Sequence, residues 1–166
     1  MGQFASGVVV LSTEVDGQAH GMTVNAFMSG SLEPPLVVVS VGRSARMHER
    51  IRKAGVFGVS VLCEMQQTCS NHFAGKRSPM FAPLLDRLRG VPVLAGAAVR
   101  LAAELRQAHP CGDHTLLVGE VRELDVSREP RRPLLFHGGR YARLGAADEG
   151  SSKFPEGFWT TGEAAW

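Results

Sequence analysis

The chain has 166 residues, of which 44% are hydrophobic and 20% charged, an ordinary mixture for one globular domain with its own core. A formal net charge of +2 and a pI near 8.6 are too mild for a nucleic-acid surface, but they suit anionic small molecules. Three cysteines without a CxxC spacing, and no visible signal peptide or membrane span, predict a cytoplasmic protein with reduced thiols, no metal site and no membrane partner.

The first predicted elements are two antiparallel strands, over residues 4–15 and 19–27. Between them, Asp16-Gly17 is a strong signal for a two-residue hairpin turn. We therefore expect the chain to open with a β-hairpin.

Small hydrogen-bonding residues cluster towards the end of this hairpin, at Thr23, Asn25, Ser29 and Ser31. Residues two apart on a strand lie on one face, so the spacing predicts a row of hydroxyls and an amide. A packed core has little use for such a row, because buried polar groups cost free energy unless they are paired. A flat polar ligand would supply the partners.

A buried strand and a helix follow the Glu-Pro-Pro turn. Residues 36–41 carry almost no polar atom, which is typical of a strand covered on both faces. The apolar spacing after it predicts a helix over residues 44–54, with Ser44 as the N-cap and Gly55 as the stop.

The start of this helix is a candidate phosphate site, because a helix N-terminus offers free N–H groups and a positive dipole end. Arg43, Arg46 and His48 would add side-chain donors around it. An ordinary capped helix with solvated charges explains the same residues and is favoured when they are taken alone. The polar strand just upstream moves the balance towards a ligand that carries phosphate.

The middle of the chain predicts a buried strand at residues 56–62 and a short helix at 66–74. Residues 78–92 are expected to be irregular, because three prolines interrupt them. This apolar segment either packs over the rest of the domain or forms a lid beside a bound ring system.

Two longer strands are predicted at residues 99–106 and 115–126, the second with a bulge near Arg122-Glu123 where its apolar phase shifts. Hairpins, one crossover helix and many short strands predict a closed antiparallel β-barrel with peripheral helices. No GxGxxG follows a strand, which excludes a Rossmann dinucleotide domain. Residues 146–166 lack periodicity but contain aromatics, and they predict a C-terminal tail that is disordered or docked.

A series of short motifs stands in the order and at the spacing of one known family, over about residues 4 to 145. They are Gly7-Val8, His20-Gly21-Met22-Thr23, Asn25, Ser31-Leu32, Pro34-Pro35-Leu36-Val37, Ser40-Val41, Ala54-Gly55-Val56-Phe57, Phe73-Ala74-Gly75, Gly90-Val91-Pro92-Val93-Leu94, Gly112-Asp113-His114-Thr115, Gly119-Glu120-Val121 and His137-Gly138-Gly139-Arg140-Tyr141. Each motif alone is weak, but the ordered set is specific. Together they resemble the short-chain flavin reductases.

The resemblance implies a mainly β fold, the FMN-binding split β-barrel, which is antiparallel, of Greek-key type and flanked by short α-helices. It would occupy residues 1–145, ahead of the tail at 146–166. The implied activity is NAD(P)H-dependent reduction of FMN or FAD by hydride transfer. The implied partners are a second copy of the chain, in a homodimer, and a monooxygenase component that receives diffusible reduced flavin.

The resemblance also implies which residues bind the flavin. The ring would contact Met22, Thr23, Val24 and Asn25, and Phe73, Ala74 and Gly75 would close one side of the pocket. The ribityl chain and phosphate would contact Ser29, Ser31, Ser40, Val41, Gly42, Arg43, Ser44, Arg46 and His48. Taken singly, each serine or threonine is better explained as a satisfied strand or turn hydroxyl, and only their clustering favours a flavin site.

For the nicotinamide, the resemblance implies His114 as the one catalytic residue, by orientation or charge compensation rather than as a general acid. A structural turn held by Asp113 is the alternative. A clamp on the nucleotide would come from His137, Gly138, Gly139, Arg140 and Tyr141, although Tyr141 suits the core equally well.

Two other functions fit the sequence. One is a flavoprotein that keeps its FMN and acts on a different substrate, as relatives of pyridoxamine-phosphate oxidase do. The other is a module that binds flavin or haem without turnover, with His20, His48, His72 and His114 as possible haem ligands, although their spacing does not support haem. The sequence does not decide whether the flavin is FMN or FAD, or whether the hydride donor is NADH or NADPH.

Overall fold

The computed structural model describes residues 2–145, and the predicted tail at 146–166 lies outside them. The described chain is mainly β, with antiparallel sheets and short helices at the periphery. The strands are β1 (Ser6–Gly7), β2 (Val9–Val15), β3 (Gln18–Val24), β4 (Phe27–Ser31), β5 (Leu36–Gly42), β6 (Val56–Val61), β7 (Leu85–Leu88), β8 (Val91–Leu94), β9 (Val99–Cys111), β10 (His114–Val126), β11 (Leu135–His137) and β12 (Arg140–Ala142). The helices are α1 (Arg46–Ala54), a 3₁₀ turn (Glu64–Gln66) and α2 (Gln67–Phe73). Over the same residues, no helix is long and apolar enough to cross a membrane.

The largest sheet closes on itself without pairing its edges. Its seven strands run in the order β3-β2-β6-β9-β10-β5-β4, so β3 and β4 lie at opposite edges. Only Asn25 and Ala26 separate these two strands in the sequence, and three Cα steps span at most about 11 Å. The sheet must therefore curl until its edges meet. Next to this seam, Ser40 N–H donates to Ala26 C=O at 3.0 Å, which extends the pairing of β5 with β4 up to the crossing. This geometry is the predicted split barrel.

The barrel interior is filled by alternate strand residues and by one face of α1. Leu11, Val39, Phe57 and Leu117 are fully buried in one cluster, and Ile51 of α1 packs among them. Along β5 only every second side chain is fully buried, so the prediction of a strand covered on both faces is wrong. The barrel has one packed inner face, which is why the alternate β5 residues stay half-buried.

Gly119 on β10 is needed for this packing. A Cβ at Gly119 would overlap the ring of Phe57 and lie 3.0 Å from the Cβ of Ala103. We expect Gly119→Ala to lower the free energy of unfolding by about 1–3 kcal/mol, because an overpacked core must shift side chains or backbone. Urea unfolding measures the loss. Gly7→Ala is the matched control, since a Cβ there meets nothing within 4 Å. Equal stability of the two variants would contradict the prediction.

Several local predictions are confirmed. Asp16-Gly17 joins β2 to β3, with Val15 opposite Gln18. The short helix at residues 66–74 is α2, and α1 ends before Gly55. The register of β10 against β9 shifts between Val121 and Glu123, at the predicted bulge.

Other boundaries are wrong because tertiary contacts override the local pattern. The predicted strand 4–15 breaks at Val8, whose N–H donates to Leu134 C=O and whose C=O accepts from Leu62 N–H. The short β1 thereby joins β11 and β12 in a second sheet. The strand predicted at 19–27 ends at Val24, at the seam. The strand predicted at 99–106 continues to Cys111.

The segment predicted to be irregular also contains a hairpin, β7–β8. Pro92 is accommodated because this ribbon has only two strands, so one side of each strand needs no ladder hydrogen bond. The carbonyl oxygen of Pro92 accepts a hydrogen bond from the Ser12 hydroxyl at 2.5 Å, and this bond attaches the hairpin to β2.

Candidate functional site

The start of α1 lies between two clefts on the outside of the barrel. The first, here called the α2 cleft, has a volume of about 510 Å³ and lies between β3, α1, α2 and the loop after α2. The second, the β9 cleft, has a similar volume of about 510 Å³ and lies between the other side of α1 and the ends of β9 and β10. A smaller pocket of about 160 Å³ opens at the barrel seam.

The α2 cleft combines apolar walls with positive charge. Met22 and Phe73 line it, together with Arg46, Arg50 and Arg77. Phe73 packs directly against Gly21, where any Cβ would overlap the ring. Within residues 2–145, no carboxylate lines this cleft. The cleft therefore suits a ligand with a flat apolar part and an anionic end.

His20 also lines the α2 cleft, close to the arginines. Burial, and then the nearby cations of Arg50 and Arg46, lower the pKa of His20. His20 therefore stays neutral at physiological pH and adds a polar group to the cleft without adding charge.

Helix α2 is held in place by polar contacts from both sides. The hydroxyl of Thr23 donates to Ser70 C=O at 2.6 Å, and the fully buried Ser70 hydroxyl lies 2.8 Å from the Tyr141 hydroxyl. Tyr141 in turn packs edge-on against Phe136. These contacts fix the helix whose last residue, Phe73, forms a wall of the α2 cleft.

The histidine that begins β10 lies opposite Gly42, at the end of β5 that leads into α1. Nδ1 of His114 is 2.8 Å from Asp113 Oδ1, while a Cβ at Gly42 would lie 3.7 Å from Nε2. The backbone N–H of Arg43 donates to Asp113 C=O at 2.9 Å. The hydrogen bond from His114 and the charge of its ring hold the pKa of the Asp113 carboxyl below its usual range. This carboxylate therefore fixes the ring with Nε2 near Gly42, the last residue of β5.

A family model described as "Flavin reductase like domain" matches residues 1–145. The chain belongs to this family. An NADH-dependent flavin reductase of Rhodococcus sp is 44% identical over 147 residues, covering 87% of this chain and 82% of that protein. The reductase component of a 4-hydroxyphenylacetate 3-monooxygenase of Thermus thermophilus is 38% identical over 144 residues, covering 87% of this chain and 92% of that protein. The solved structure of the flavin reductase PheA2 in its native state superposes with a TM-score of 0.84 at 40% identity, covering 87% and 94%.

In this flavin reductase domain, the predicted flavin residues divide among the three cavities. Met22, Arg46, Phe73 and Gly75 line the α2 cleft. Thr23, Val24, Asn25 and Ala74 line the seam pocket. Arg43, Ser44 and His48 line the β9 cleft. The α2 cleft and the seam pocket share a wall at residues 73–75, whereas the β9 cleft is separated from them by α1.

The remaining predicted flavin residues lie on β4 and β5. Ser29 and Ser31 are opposite Val37 and Leu36, at the end of β5 remote from α1. The predicted row of hydroxyls is therefore wrong, since the chain turns at the seam between Thr23 and Ser29 and the Thr23 hydroxyl already has a partner. Ser40, Val41 and Gly42 form the end of β5 that leads into α1. Contact of these residues with flavin stays a prediction.

The helix start itself differs from its prediction. Ser44 is not the N-cap: Ala45 occupies that position and α1 begins at Arg46. The reason is a turn in which Ala45 N–H donates to Gly42 C=O at 3.0 Å, which delays the helix. His48 is buried, and its Nε2 lies 2.9 Å from the Thr115 hydroxyl. That ring therefore has a structural partner on β10.

The glycines of the predicted nucleotide clamp have a structural explanation. Gly138 and Gly139 have φ of 57° and 78°, and they form the two-residue turn between β11 and β12. Such a turn requires positive φ at both positions. His137 and Arg140 are paired at its base, with both side chains exposed. Their contact with nicotinamide stays a prediction.

Sequence reasoning missed Arg50 and Arg77 altogether, and it considered His20 and His72 only as haem ligands. A usable signal was present for Arg50. It stands four residues after Arg46, so the two share a helix face. Arg77 gives no such signal, because it reaches the cleft from the loop after α2.

Proposed function

We propose that this chain reduces FMN or FAD by hydride transfer from NADH or NADPH, and that the reduced flavin is released to an oxygenase component. The observation that carries the proposal is the lining of the α2 cleft, where the apolar Met22 and Phe73 lie together with arginines. Among residues 2–145, no carboxylate lines this cleft to neutralise their charge. A flavin fits this cleft, with its ring against the apolar wall and its phosphate at Arg46. The names of the relatives support the same activity.

When bound, the flavin and the nicotinamide bring the redox chemistry themselves. The chain's own residues need only bind the two rings, orient them and exclude water, which accounts for up to roughly 7–11 kcal/mol of the barrier in a two-substrate step. Arg46 binds the phosphate, Phe73 covers one side of the ring, and His114 orients the nicotinamide through Nε2. At the barrel seam, the edge of the flavin ring contacts Thr23, Val24 and Asn25.

The test is steady-state oxidation of NADH and NADPH, each with FMN and with FAD. A rate that rises and saturates with added free flavin supports the proposal. A rate independent of added flavin, together with a flavin spectrum in the purified protein, would instead identify a flavoprotein that retains its FMN. A haem band, or bound flavin without turnover, would identify the binding module.

A further expectation concerns Asp113, which lies next to His114 and is exposed. If the cofactors carry the reaction, Asp113→Asn should leave turnover within about tenfold of wild type, since asparagine keeps an acceptor for His114. Stopped-flow reduction of bound flavin measures this directly. A loss of more than about a thousandfold with intact binding would exceed the loss of one orienting contact, and it would indicate proton transfer.

We also propose that the protein is a cytoplasmic homodimer whose catalytic domain is residues 1–145, with 146–166 as a tail. Support for the location is that Cys63, Cys69 and Cys111 are free thiols. Support for the dimer is that edge strand β4 exposes Met28, and that Leu32 just after it is also exposed. Light scattering of the purified chain tests the dimer, and a truncation after residue 145 tests the domain boundary.

A further inference from the structure

Two arginines of α1 face the α2 cleft one helical turn apart. Arg46 and Arg50 both line it, and residues four apart on a helix have Cβ atoms about 5–6 Å from each other. In the part of the chain that the structure describes, no carboxylate lines the cleft that these two guanidinium groups face. By contrast, Arg100 and Arg106 on the sheet are both bound to carboxylates. Like charges at this spacing destabilise a helix, and a bound anion would remove that cost.

The opposite face of the same helix is different. Arg43 and Arg52 line the β9 cleft, but Glu49 lies among them and supplies a negative charge. The α2 cleft has a third cation, Arg77, on its far wall and no carboxylate among its described lining residues. The excess of positive charge at α1 is therefore concentrated on the side where Arg46 and Arg50 point.

We propose that Arg50 gives the α2 cleft a preference for FAD over FMN, an inference that rests on the proposed flavin reductase function. Arg46 binds the phosphate that both flavins carry, and Arg50 binds the second phosphate that only FAD carries. The two phosphates of FAD share one bridging oxygen, so two planar guanidinium groups one turn apart bind them side by side. FMN has a single phosphate and leaves Arg50 without a partner. The adenosine then extends along the cleft past His20.

The test is to titrate FAD, and separately FMN, with wild-type protein and with the Arg50→Ala variant, and to measure binding by flavin fluorescence. We expect wild type to bind FAD more tightly than FMN. Arg50→Ala should weaken FAD binding about 10- to 100-fold and FMN binding less than about threefold, because only FAD loses a charge-assisted contact. Arg50→Lys keeps the charge but loses the bidentate fork, so its FAD affinity should fall between the two.

Arg52→Ala is the matched control, since it removes the same side chain from the same helix on the β9 side. It should leave the ratio of FAD to FMN affinity unchanged. Three results would each overturn the inference: Arg50→Ala weakens the binding of both flavins equally, Arg50→Ala leaves FAD binding unchanged, or wild type binds FMN more tightly than FAD. These titrations need no turnover, so absence of NAD(P)H oxidation by wild type would refute the proposed function separately.

Discussion

The double substitution Ser44→Ala with Arg46→Ala is expected to weaken flavin binding by about 2–5 kcal/mol, mainly because the charge-assisted contact of Arg46 with the phosphate disappears. That corresponds to a rise in Kd of roughly 30-fold to several thousandfold. The two side chains line different clefts, Arg46 the α2 cleft and Ser44 the β9 cleft. We therefore expect the loss to divide unequally between the single variants, with Arg46→Ala carrying most of it.

Fluorescence titration of the two single variants and the double variant measures this division. A suitable control is Ser127→Ala with Arg131→Ala, which removes another serine and arginine that are hydrogen-bonded to each other at 3.0 Å on an exposed turn. Unchanged affinity in the double variant would exclude the start of α1 as the phosphate site. A larger loss from Ser44→Ala than from Arg46→Ala would place the phosphate in the β9 cleft.

His114→Ala is expected to spare flavin affinity while raising the KM for the nicotinamide, lowering the rate of flavin reduction, or both. One hydrogen bond is worth about 0.5–1.5 kcal/mol, and up to about 3 if the imidazole is charged. The effect should therefore lie between a few-fold and about a hundredfold. The structural reason is that Asp113 holds the ring with Nε2 near Gly42.

Stopped-flow reduction of the flavin-loaded variant separates this role from a structural one. A purely structural histidine would lower the melting temperature and flavin retention but leave the kinetics of the surviving complex normal. His109→Ala is the control, because His109 is an exposed histidine on the adjacent strand whose ring hydrogen-bonds only to Gln107 within residues 2–145. Normal nicotinamide affinity and a normal reduction rate in His114→Ala would end the functional role of His114.

Helical geometry explains why the candidate phosphate residues do not converge. Each residue of an α-helix turns the chain by about 100°, so residues two apart point to opposite sides and residues four apart align. Arg46 and His48 accordingly face different clefts, whereas Arg46 and Arg50 face the same one. This separation follows from the sequence once the bounds of the helix are known. The sequence analysis, with the helix starting at Ser44, instead treated Arg43, Arg46 and His48 as one cluster of phosphate donors.

The sequence by itself determined the features that depend on short-range rules. The Asp16-Gly17 turn, helix α2, the bulge at residues 122–123 and the mainly β architecture all follow from local backbone preferences and apolar periodicity. The ordered motifs determined the family. In each case the cause lies within a few residues, so that no distant contact is needed to recognise it.

Only the tertiary structure decided which of these residues meet. The partner of His48 is Thr115, 67 residues further along the chain, and the residue opposite His114 is Gly42. The closure of the barrel at Asn25–Ala26 breaks the predicted polar strand, because the sheet edges must join there. Barrel curvature also decides which face of α1 borders α2, and hence where its positive charge is concentrated. Such contacts depend on strand order and packing of the whole core, which no local pattern in the sequence specifies.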